Sequence, residues 1–401
     1  MKAVIIGASG EALHTIEMAH ERNLAVTALD GNPGAAGLRA ADKGLVVDIS
    51  NEHAVIEAVR KEGADFVLTV PIGRYLTTIG AVNDALGLPG ITRRMAALCT
   101  DKYRFHQKLQ EKNLRKSRCY ALGGADGMNP EDLKARMDAG SLSLDFPAVL
   151  KPRFGSGSRG IHMIGDREAL KRILKDAERD FLDGEEFVLE ECAQGEEYGV
   201  DGAVIRGRFY LVLLRKKENT PLPARQAVGY FSVQPQDPFW RQVQTHMKEV
   251  ADCLGLDECL LHADLIRTDR APFVVELSAR PSGHNLHNLF TPLCTGIDMA
   301  REYIEYRMGL DWSFVPSVTR KAAIHYFDLE GKVLRMPDEE QVRRLVPSLL
   351  EWKCGIAQGE VLAPVKDGHS LMGRGYFILE GEERALRERI KEIKALFQMA
   401  P

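Results

Sequence analysis

One stretch of the sequence, residues 260–288, constrains the fold more than any other. It begins with an alternating run at 260–267, continues through a polar turn, and resumes at Phe273 with an apolar, β-branched run. Alternation with a period of two on either side of a short polar connection predicts two antiparallel strands. The stretch is therefore predicted to be a β-hairpin that leads into a loop carrying Arg280.

The predicted hairpin places two carboxylates opposite each other. We take Arg267 to pair with Phe273 across the turn. This register puts Asp264 opposite Glu276, and directly opposite Cβ atoms lie about 4.5–5.5 Å apart. Carboxylates that close repel unless one is protonated or a cation lies between them, and an oxygen-only pair suits Mg²⁺ or Mn²⁺ better than zinc. Arg280 then follows, able to face an anion held by the metal; the alternative is a surface hairpin with solvated charges.

Composition places the chain among soluble globular proteins of two or three domains. It has 401 residues, of which 45% are hydrophobic and 27% charged, and a formal net charge of −4, which gives no global field for nucleic acid or an anionic membrane. No apolar run approaches the roughly 20 residues of a membrane helix. Seven scattered cysteines without a CxxC pair, and a first strand that is not preceded by a charged leader, predict a cytoplasmic protein with reduced thiols.

The first hundred residues alternate strands with helices, which predicts a doubly wound parallel sheet. Gly7 and Gly10 resemble part of a dinucleotide fingerprint with Asp30 near the ribose position, but the third glycine is missing, so an NAD site is the weaker alternative. Gly73 and Arg74 follow a strand, where open α/β sheets bind ligands, and are candidate substrate residues unless they only begin a helix. The predicted strands are 2–6, 25–29, 45–47 and 66–70, and the predicted helices are 11–22 and 53–61.

Two elements in the middle of the chain are candidates for binding phosphates. Asp101 is predicted to cap a helix that has Lys102 in its first turn. Lys151 ends a short predicted strand, and a loop at 153–160 with three glycines and two serines joins it to the next strand. The loop offers N–H and hydroxyl donors to phosphates. It joins two strands, so it is not a Walker loop, and an exposed hairpin is the alternative.

A further segment, 187–201, leads from a predicted strand through acidic residues and a glycine turn into a second strand. With it, residues 102–288 resemble the ATP-grasp superfamily, and the preceding residues look like the domain before that module in carboxylate–amine ligases, biotin carboxylases and purine-synthesis ligases. The implied domains are a doubly wound α/β domain at 1–100, an ATP-grasp module at 101–310 with α+β lobes of about 101–186 and 187–310, and a small C-terminal α+β domain at 311–401.

The resemblance implies a nucleotide site built from two lysines, a loop that closes over the triphosphate, and a linker that binds adenine through its backbone and ribose through a carboxylate. The matching positions are Lys102 and Lys151 for the phosphates, Ser156, Gly157 and Ser158 in the loop, Glu191 and Ala193 for adenine, and Glu197 for ribose.

The resemblance also implies a metal site on the hairpin. Asp264, Glu276 and Ser278 match ligands of Mg²⁺ or Mn²⁺, and Arg280 matches an arginine that steadies the reacting phosphoryl or acyl group, with Lys151 as a second catalytic cation. Asparagine is usual at the position of Ser278. A hydroxyl still offers one oxygen, so weaker coordination is expected there.

The implied activity is an ATP-dependent carboxylate–amine ligase that forms an acyl phosphate, couples it to an amine and releases ADP and phosphate. Two lysines, an arginine and bridging metal ions supply the positioning and charge neutralisation that phosphoryl transfer needs. Its partners would be a small carboxylate and an amine, without nucleic acid or membrane, and homodimer formation is left open. The alternatives are a purine-pathway (phosphoribosyl-type) or carboxylase-like ligase, and a nucleotide-binding regulator without turnover.

Two more residues are candidates for the substrate pocket. Arg225, after a proline-broken segment, is placed to bind a carboxylate, and His284 follows Arg280. The alternatives are a stiffened connection beside solvated Lys216 and Lys217, and a capping or packing role for His284. In the last ninety residues the predicted strands are 322–327 and 375–379, and the predicted helix is 382–397.

Overall fold

The computed structural model describes residues 1–155, 160–176, 183–221, 225–366 and 368–400. Short turns of 3-10 helix at Gly10–Ala12 and of π-helix at Leu286–Phe290 accompany the regular elements. No helix within these ranges is both long and apolar enough to cross a membrane.

The β-strands are β1 (Lys2–Ile6), β2 (Ala25–Asp30), β3 (Lys43–Val46), β4 (Phe66–Leu68), β5 (Cys119–Leu122), β6 (Ala148–Pro152), β7 (His162–Ile164), β8 (Phe187–Glu191), β9 (Glu196–Ile205), β10 (Arg208–Asn219), β11 (Ala227–Val233), β12 (Cys259–Arg267), β13 (Pro272–Ser278), β14 (Ala322–Tyr326), β15 (Gly331–Arg335), β16 (Leu349–Cys354), β17 (Val361–Leu362), β18 (Gly375–Glu380) and β19 (Gln398–Ala400).

The α-helices are α1 (Leu13–Glu21), α2 (Ala36–Ala40), α3 (Glu52–Glu62), α4 (Leu76–Leu86), α5 (Arg93–Thr100), α6 (Lys102–Glu111), α7 (Pro130–Asp138), α8 (Arg167–Asp176), α9 (Pro238–Leu254), α10 (Thr291–Thr295), α11 (Met299–Met308), α12 (Glu339–Leu345), α13 (His369–Met372) and α14 (Glu383–Ala395).

The first hundred residues form the predicted parallel sheet, in the order β3-β2-β1-β4. Alternation along β1 sends Val4 and Ile6 into a core shared with α3 and α4, and Ala3 and Ile5 into a core shared with α1 and α11. Both faces of the sheet are therefore covered, which is why β1 is apolar throughout.

The largest sheet has eight strands, in the order β13-β12-β9-β10-β11-β14-β18-β16, and every pairing in it is antiparallel. Its last three strands come from the final ninety residues. The predicted boundary at 311 therefore does not separate a self-contained C-terminal domain, since β14, β18 and β16 continue the central sheet. Only β15, β17 and β19 form a small sheet of their own.

The smaller lobe of the central module is a four-stranded sheet, ordered β5-β8-β6-β7, whose core it shares with α7 and α8. We predicted that the second lobe begins at 187. In the structure β8 stays in the smaller sheet, paired with β5 and β6. The chain passes to the large sheet only in the linker 192–195, after β8 has ended.

The predicted hairpin is present as β12 and β13, and Asp264 does pair with Glu276. The turn register differs from the prediction, because Arg267 pairs with Pro272 and not with Phe273. A β-bulge restores the expected opposition: the register shifts between Asp264 and Leu265, which leaves Val275 as the extra residue. Bulges increase local strand twist.

Candidate active site

One face of the large sheet is polar across its first four strands. Strand alternation and register bring together acids from β9, β12 and β13 and bases from β10. We call this set the floor; its residues are Asp201, Arg215, Lys217, His262, Asp264, Glu276 and Ser278.

The two oxygens of the Asp264 carboxylate have different surroundings. Its Oδ2 lies 2.6 Å from Nζ of Lys217, whereas its buried Oδ1 has no hydrogen-bond partner among the described residues. Burial opposes ionisation, but the Lys217 ammonium outweighs it and lowers the pKa of Asp264. The prediction that Lys217 is solvated is wrong, since its side chain is only 9% exposed. The Nζ of Lys216 instead lies 2.5 Å from the carboxylate of Glu196, the first residue of β9.

A second ion pair lies deeper in the floor. Nη1 of Arg215 is 3.0 Å from Oδ2 of Asp201, and both side chains are fully buried. The hydroxyl of Thr291 also donates to Asp201, at 2.7 Å. On β9, Gly199 lies opposite both Arg215 and Asp264, and a Cβ there would come within 3.1 Å of the guanidinium. The missing side chain leaves the room in which Arg215 lies.

Sequence reasoning did not single out Arg215 or Asp201. A usable signal was present, because Arg215 and Lys217 are two residues apart and so share one face of any strand that contains both. The interpretation of Lys217 as solvated hid this relation, whereas β10 contains both residues and continues to Asn219.

Arg280 lies beside the floor, in the loop that follows β13. Its Nε donates to the carbonyl of Ile72 at 2.9 Å and its Nη1 to the carbonyl of Pro281 at 2.8 Å. Burial lowers the pKa of Arg280, although Glu276 and Asp264 act in the opposite direction. No carboxylate within the described ranges forms an ion pair with it, so its guanidinium is held in place by carbonyls and still carries an unpaired charge.

Lys102 and Arg280 line the same cavity. Lys102 is the first residue of α6, and Asp101 before it caps the helix by accepting backbone N–H bonds with its carboxylate. Oδ2 of the same carboxylate also accepts a hydrogen bond from Nη2 of Arg153 at 2.7 Å. Nζ of Lys102 donates to the carbonyl of Gly155 at 2.8 Å. Burial lowers the pKa of Lys102, while Glu276 counters that effect. The cap of α6 and the hydrogen bond to Gly155 thus hold Lys102 beside the first residues of the predicted phosphate loop.

The cavity is lined by residues of the first hundred positions, by α6 and Gly155, and by the hairpin and its exit loop, and part of it is open to solvent. The structure therefore brings six of the predicted site residues to one cavity: Gly73, Arg74, Lys102, Glu276, Ser278 and Arg280 line it.

Lys151 does not have a free ammonium. Its Nζ lies 2.5 Å from Oε1 of Glu190, a buried residue on the neighbouring strand β8. Burial opposes ionisation of Glu190, but Lys151 and Arg115 lower its pKa. Glu190 therefore fixes the lysine near the predicted phosphate site; sequence reasoning did not assign it this role.

A cluster next to this pair has the donor types of a metal site, but its surroundings do not fit one. Ligand atoms of His106, Cys119 and Glu190 lie within 4.8 Å of one another. However, Nη1 of Arg115 donates to Nδ1 of His106 at 2.8 Å, while the other ring nitrogen contacts the carbonyl of Ser117 at 2.9 Å. With Lys151 also present, two cations already occupy the place that a metal ion would take.

The linker 192–195 joins the two lobes where adenine contacts were predicted. The backbone N–H of Glu191 donates to the carbonyl of Arg118 at 3.1 Å, so this N–H already has a hydrogen-bond partner. Ala193 lies in the linker between β8 and β9. Gly195 has φ +149°, and a Cβ there would lie 2.0 Å from the carbonyl oxygen of Arg267. Only glycine fits at this close approach.

Three further sets of predicted residues remain. Oε1 of Glu197 lies 2.6 Å from Nε of Arg225, so these candidates for ribose and substrate contact each other. The loop residues Ser156, Gly157 and Ser158 lie outside the described residues. His284 contacts one residue from the first hundred positions and one from the last ninety. Its backbone N–H donates to Glu11 at 2.9 Å, and its carbonyl accepts from the hydroxyl of Tyr326 at 2.5 Å.

The hairpin fits a hard divalent cation. Among the described residues, the buried Oδ1 of Asp264 has no hydrogen-bond partner, Glu276 lies opposite Asp264, and Glu276 and Ser278 line the cavity. Oxygen ligands of this kind are those that Mg²⁺ and Mn²⁺ bind. A cation here would also relieve the repulsion between the two carboxylates.

Residues 144–287 match the family model of the ATP-grasp domain. The match includes β6, the linker 192–195, the hairpin and Arg280, whereas Lys102, which the resemblance also used, lies before it. The chain thus contains an ATP-grasp domain, as predicted.

Three individual proteins are similar to this chain. Dapdiamide A synthase of Enterobacter agglomerans is 25% identical over 260 residues, and the match spans 61% of this chain and 58% of the synthase. The structure of L-amino acid ligase from Bacillus licheniformis has a TM-score of 0.79 at 18% identity over 100% of this chain and 98% of that one. N5-carboxyaminoimidazole synthetase from Staphylococcus aureus, complexed with ADP, has a TM-score of 0.72 at 14% identity, covering 98% and 96% of the two chains. The chain shares its fold with these two solved structures.

Proposed function

We propose that this protein is an ATP-dependent ligase that joins a small carboxylate to an amine through an acyl phosphate. The observation that carries the proposal is the cavity lined by Glu276 and by the cations Arg280 and Lys102, with Asp264 opposite Glu276 in the hairpin. Phosphoryl transfer is catalysed mainly by positioning and charge neutralisation, and this arrangement provides both. ATP would be converted to ADP and phosphate as the amide forms.

On the nucleotide side, Lys102 and Lys151 would bind the phosphates, with the glycine- and serine-rich loop after Lys151 closing over them. Each lysine is already positioned, Lys102 by the carbonyl of Gly155 and Lys151 by Glu190. Glu197 would take the ribose hydroxyls and the linker 192–195 the adenine. Positioned cations lose little freedom when the phosphates arrive, which favours tight binding.

On the metal side, Asp264 and Glu276, with Ser278, would hold Mg²⁺ or Mn²⁺. A divalent ion would supply charge neutralisation on the phosphate oxygens. Arg280 would then donate to the transferred phosphoryl group from a guanidinium that two carbonyls already orient. Exclusion of water from the cavity would protect the acyl phosphate from hydrolysis.

On the substrate side, Gly73 and Arg74 line the cavity at its N-terminal wall, and Arg74 could bind the carboxylate to be activated. Glu11, whose carboxylate accepts the N–H of His284, would offer that carboxylate to an amine. Arg225 would act through its contact with Glu197. The described cysteines are unpaired, which supports a cytoplasmic protein acting on small molecules; homodimer formation stays a prediction.

The test is a screen of small carboxylates, including amino acids, against amines, with ADP and phosphate release as the readout. We expect ADP only when an acid is present, and stoichiometric amide when an amine is added. The Glu276→Ala protein, run against every pair, controls for contaminating ATPases. ADP formation with bicarbonate alone would support the carboxylase-like alternative, and retained ATP binding without ADP in any pair would support a regulator.

A further inference from the structure

Lys217 is the one lysine of the floor, and it is held against a predicted metal ligand. It lies on β10, and Asp264 lies on β12, two strands away with β9 between them. The residue of β9 opposite Asp264 is Gly199. The guanidinium of Arg215 lies above Gly199, and Lys217, two residues further along β10, places Nζ 2.6 Å from Oδ2 of Asp264.

The charges of the floor are already largely balanced. Asp201 is paired with Arg215, and Asp264 is paired with Lys217. Glu276 has no cationic side chain within ion-pair distance in the described ranges. A first divalent ion finds ligands in Glu276 and in Oδ1 of Asp264, which accepts no hydrogen bond from the described residues and lies 3.7 Å from Nε2 of His262.

A second divalent ion finds few ligands. The other oxygen of Asp264 is taken by the ammonium, and Ser278 offers only a neutral hydroxyl. Mg²⁺ demands near-octahedral oxygen coordination and usually binds one or two carboxylates in addition to phosphates and waters. The ammonium would also repel an ion that approached this side of Asp264.

We propose that this site takes a single divalent ion, between Glu276 and Oδ1 of Asp264, and that the ammonium of Lys217 stands in for a second ion beside the transferred phosphoryl group. The inference rests on the proposed function, because it presumes ATP in the cavity. A lysine ammonium is a compact charge with three donors, of which one direction is used by Asp264. Lys217 is thus a catalytic residue of the floor and not only a counter-charge.

The experiment counts Mn²⁺ by electron paramagnetic resonance in the presence of a methylene-bridged, non-hydrolysable ATP analogue. We expect one bound Mn²⁺ per wild-type chain and no spin-coupled pair. Lys217→Met should bind a second ion and show the coupled signal, because both oxygens of Asp264 become available. Lys217→Arg retains the charge and should keep the single-ion spectrum.

Lys216→Met is the matched control. It removes the adjacent lysine, whose Nζ contacts Glu196 and not the floor, and should leave one ion bound. A coupled pair in the wild-type protein, or a single ion in folded Lys217→Met, would reject the inference. The wild-type count decides the matter even if Lys217→Met does not fold. Binding of the ATP analogue without any protein-bound Mn²⁺, or no binding of the analogue, would instead reject the proposed function itself.

Discussion

Asp264 and Glu276 are opposed in the structure, as strand alternation in the sequence predicts. The sequence could not place Lys217 beside them, because its neighbours come from β9 and β12, which are distant along the chain. A run of three basic residues favours solvent in an isolated strand. In a sheet whose adjacent strands carry buried acids, the same run alternates between solvent and the floor.

Replacing Glu276 by alanine should lower metal-dependent ADP formation by at least about 100-fold, since charge neutralisation by a bound ion is worth several kcal/mol. The melting temperature should change little, because the substitution also removes one of two facing carboxylates. ADP release at saturating Mg²⁺ and thermal melting check the two parts. Asp269→Ala, at the exposed turn of the same hairpin, is the control. Near-normal activity of the Glu276 variant would show that the metal assignment is wrong.

The elements themselves were predictable where periodicity is local. The parallel strands of the first hundred residues, α6 with its Asp101 cap, and the hairpin all occur near their predicted positions. The bulge at Val275 was not predictable, because an extra residue in one strand leaves no mark on a two-residue period until the partner's register is known. The predicted pairing of Asp264 with Glu276 is correct, although the predicted pairing of Arg267 with Phe273 at the turn is wrong.

Gly195 shows how an element boundary constrains the site. Gly195→Ala should lower the free energy of unfolding by about 1–3 kcal/mol, because its Cβ would collide with the carbonyl of Arg267 and its φ is unfavourable. ADP affinity should fall too, since the displaced linker is the predicted adenine site. Denaturant titration and ADP calorimetry measure these effects. Gly207→Ala, which has φ +71° but open space, isolates the backbone strain, and equal losses in both variants would contradict the collision.

For the whole molecule, strand order is the feature that sequence reasoning missed. Strands at 322–327 and 375–379 were predicted and occur as β14 and β18, but their membership of the large sheet was not predicted. Pairing between β11 and β14 joins residues about ninety positions apart, and no local pattern records such a partner. The floor and the C-terminal strands therefore belong to one continuous sheet.

His325 on β14 joins these parts through charges. Its Nδ1 lies 3.3 Å from Glu218 on β10, and its Nε2 lies 3.2 Å from Asp328. From α14, Arg387 contacts Glu218 and Lys394 contacts Asp328. Burial lowers the pKa of His325, but hydrogen bonds to the two carboxylates outweigh it, so the pKa is raised. For Asp328, burial is outweighed by the bond from His325, and its pKa is lowered to about 2.

The sign of the resulting pH dependence follows from these shifts. The stabilisation by protonated His325 is complete below its unfolded pKa of 6.5 and is lost as pH rises through the raised folded value. The melting temperature should therefore fall from near neutral pH upwards, and His325→Gln should flatten that slope. Melting curves across this range test it. His20→Gln, an exposed histidine beside Asp42, should keep the wild-type slope; an unchanged slope in His325→Gln would contradict the assignment.

The pairing of β5 with β8 has a consequence for how such a chain can evolve. Cys119 lies opposite Glu190, so the polypeptide enters and leaves the smaller lobe at adjoining points, and that lobe has a core of its own. A segment with adjoining ends can be exchanged or duplicated by recombination with little disturbance to the chain that it interrupts. The part of the site that includes Lys151 can thus diversify as a unit, whereas Lys102, Glu197 and the strands of the floor lie outside that segment.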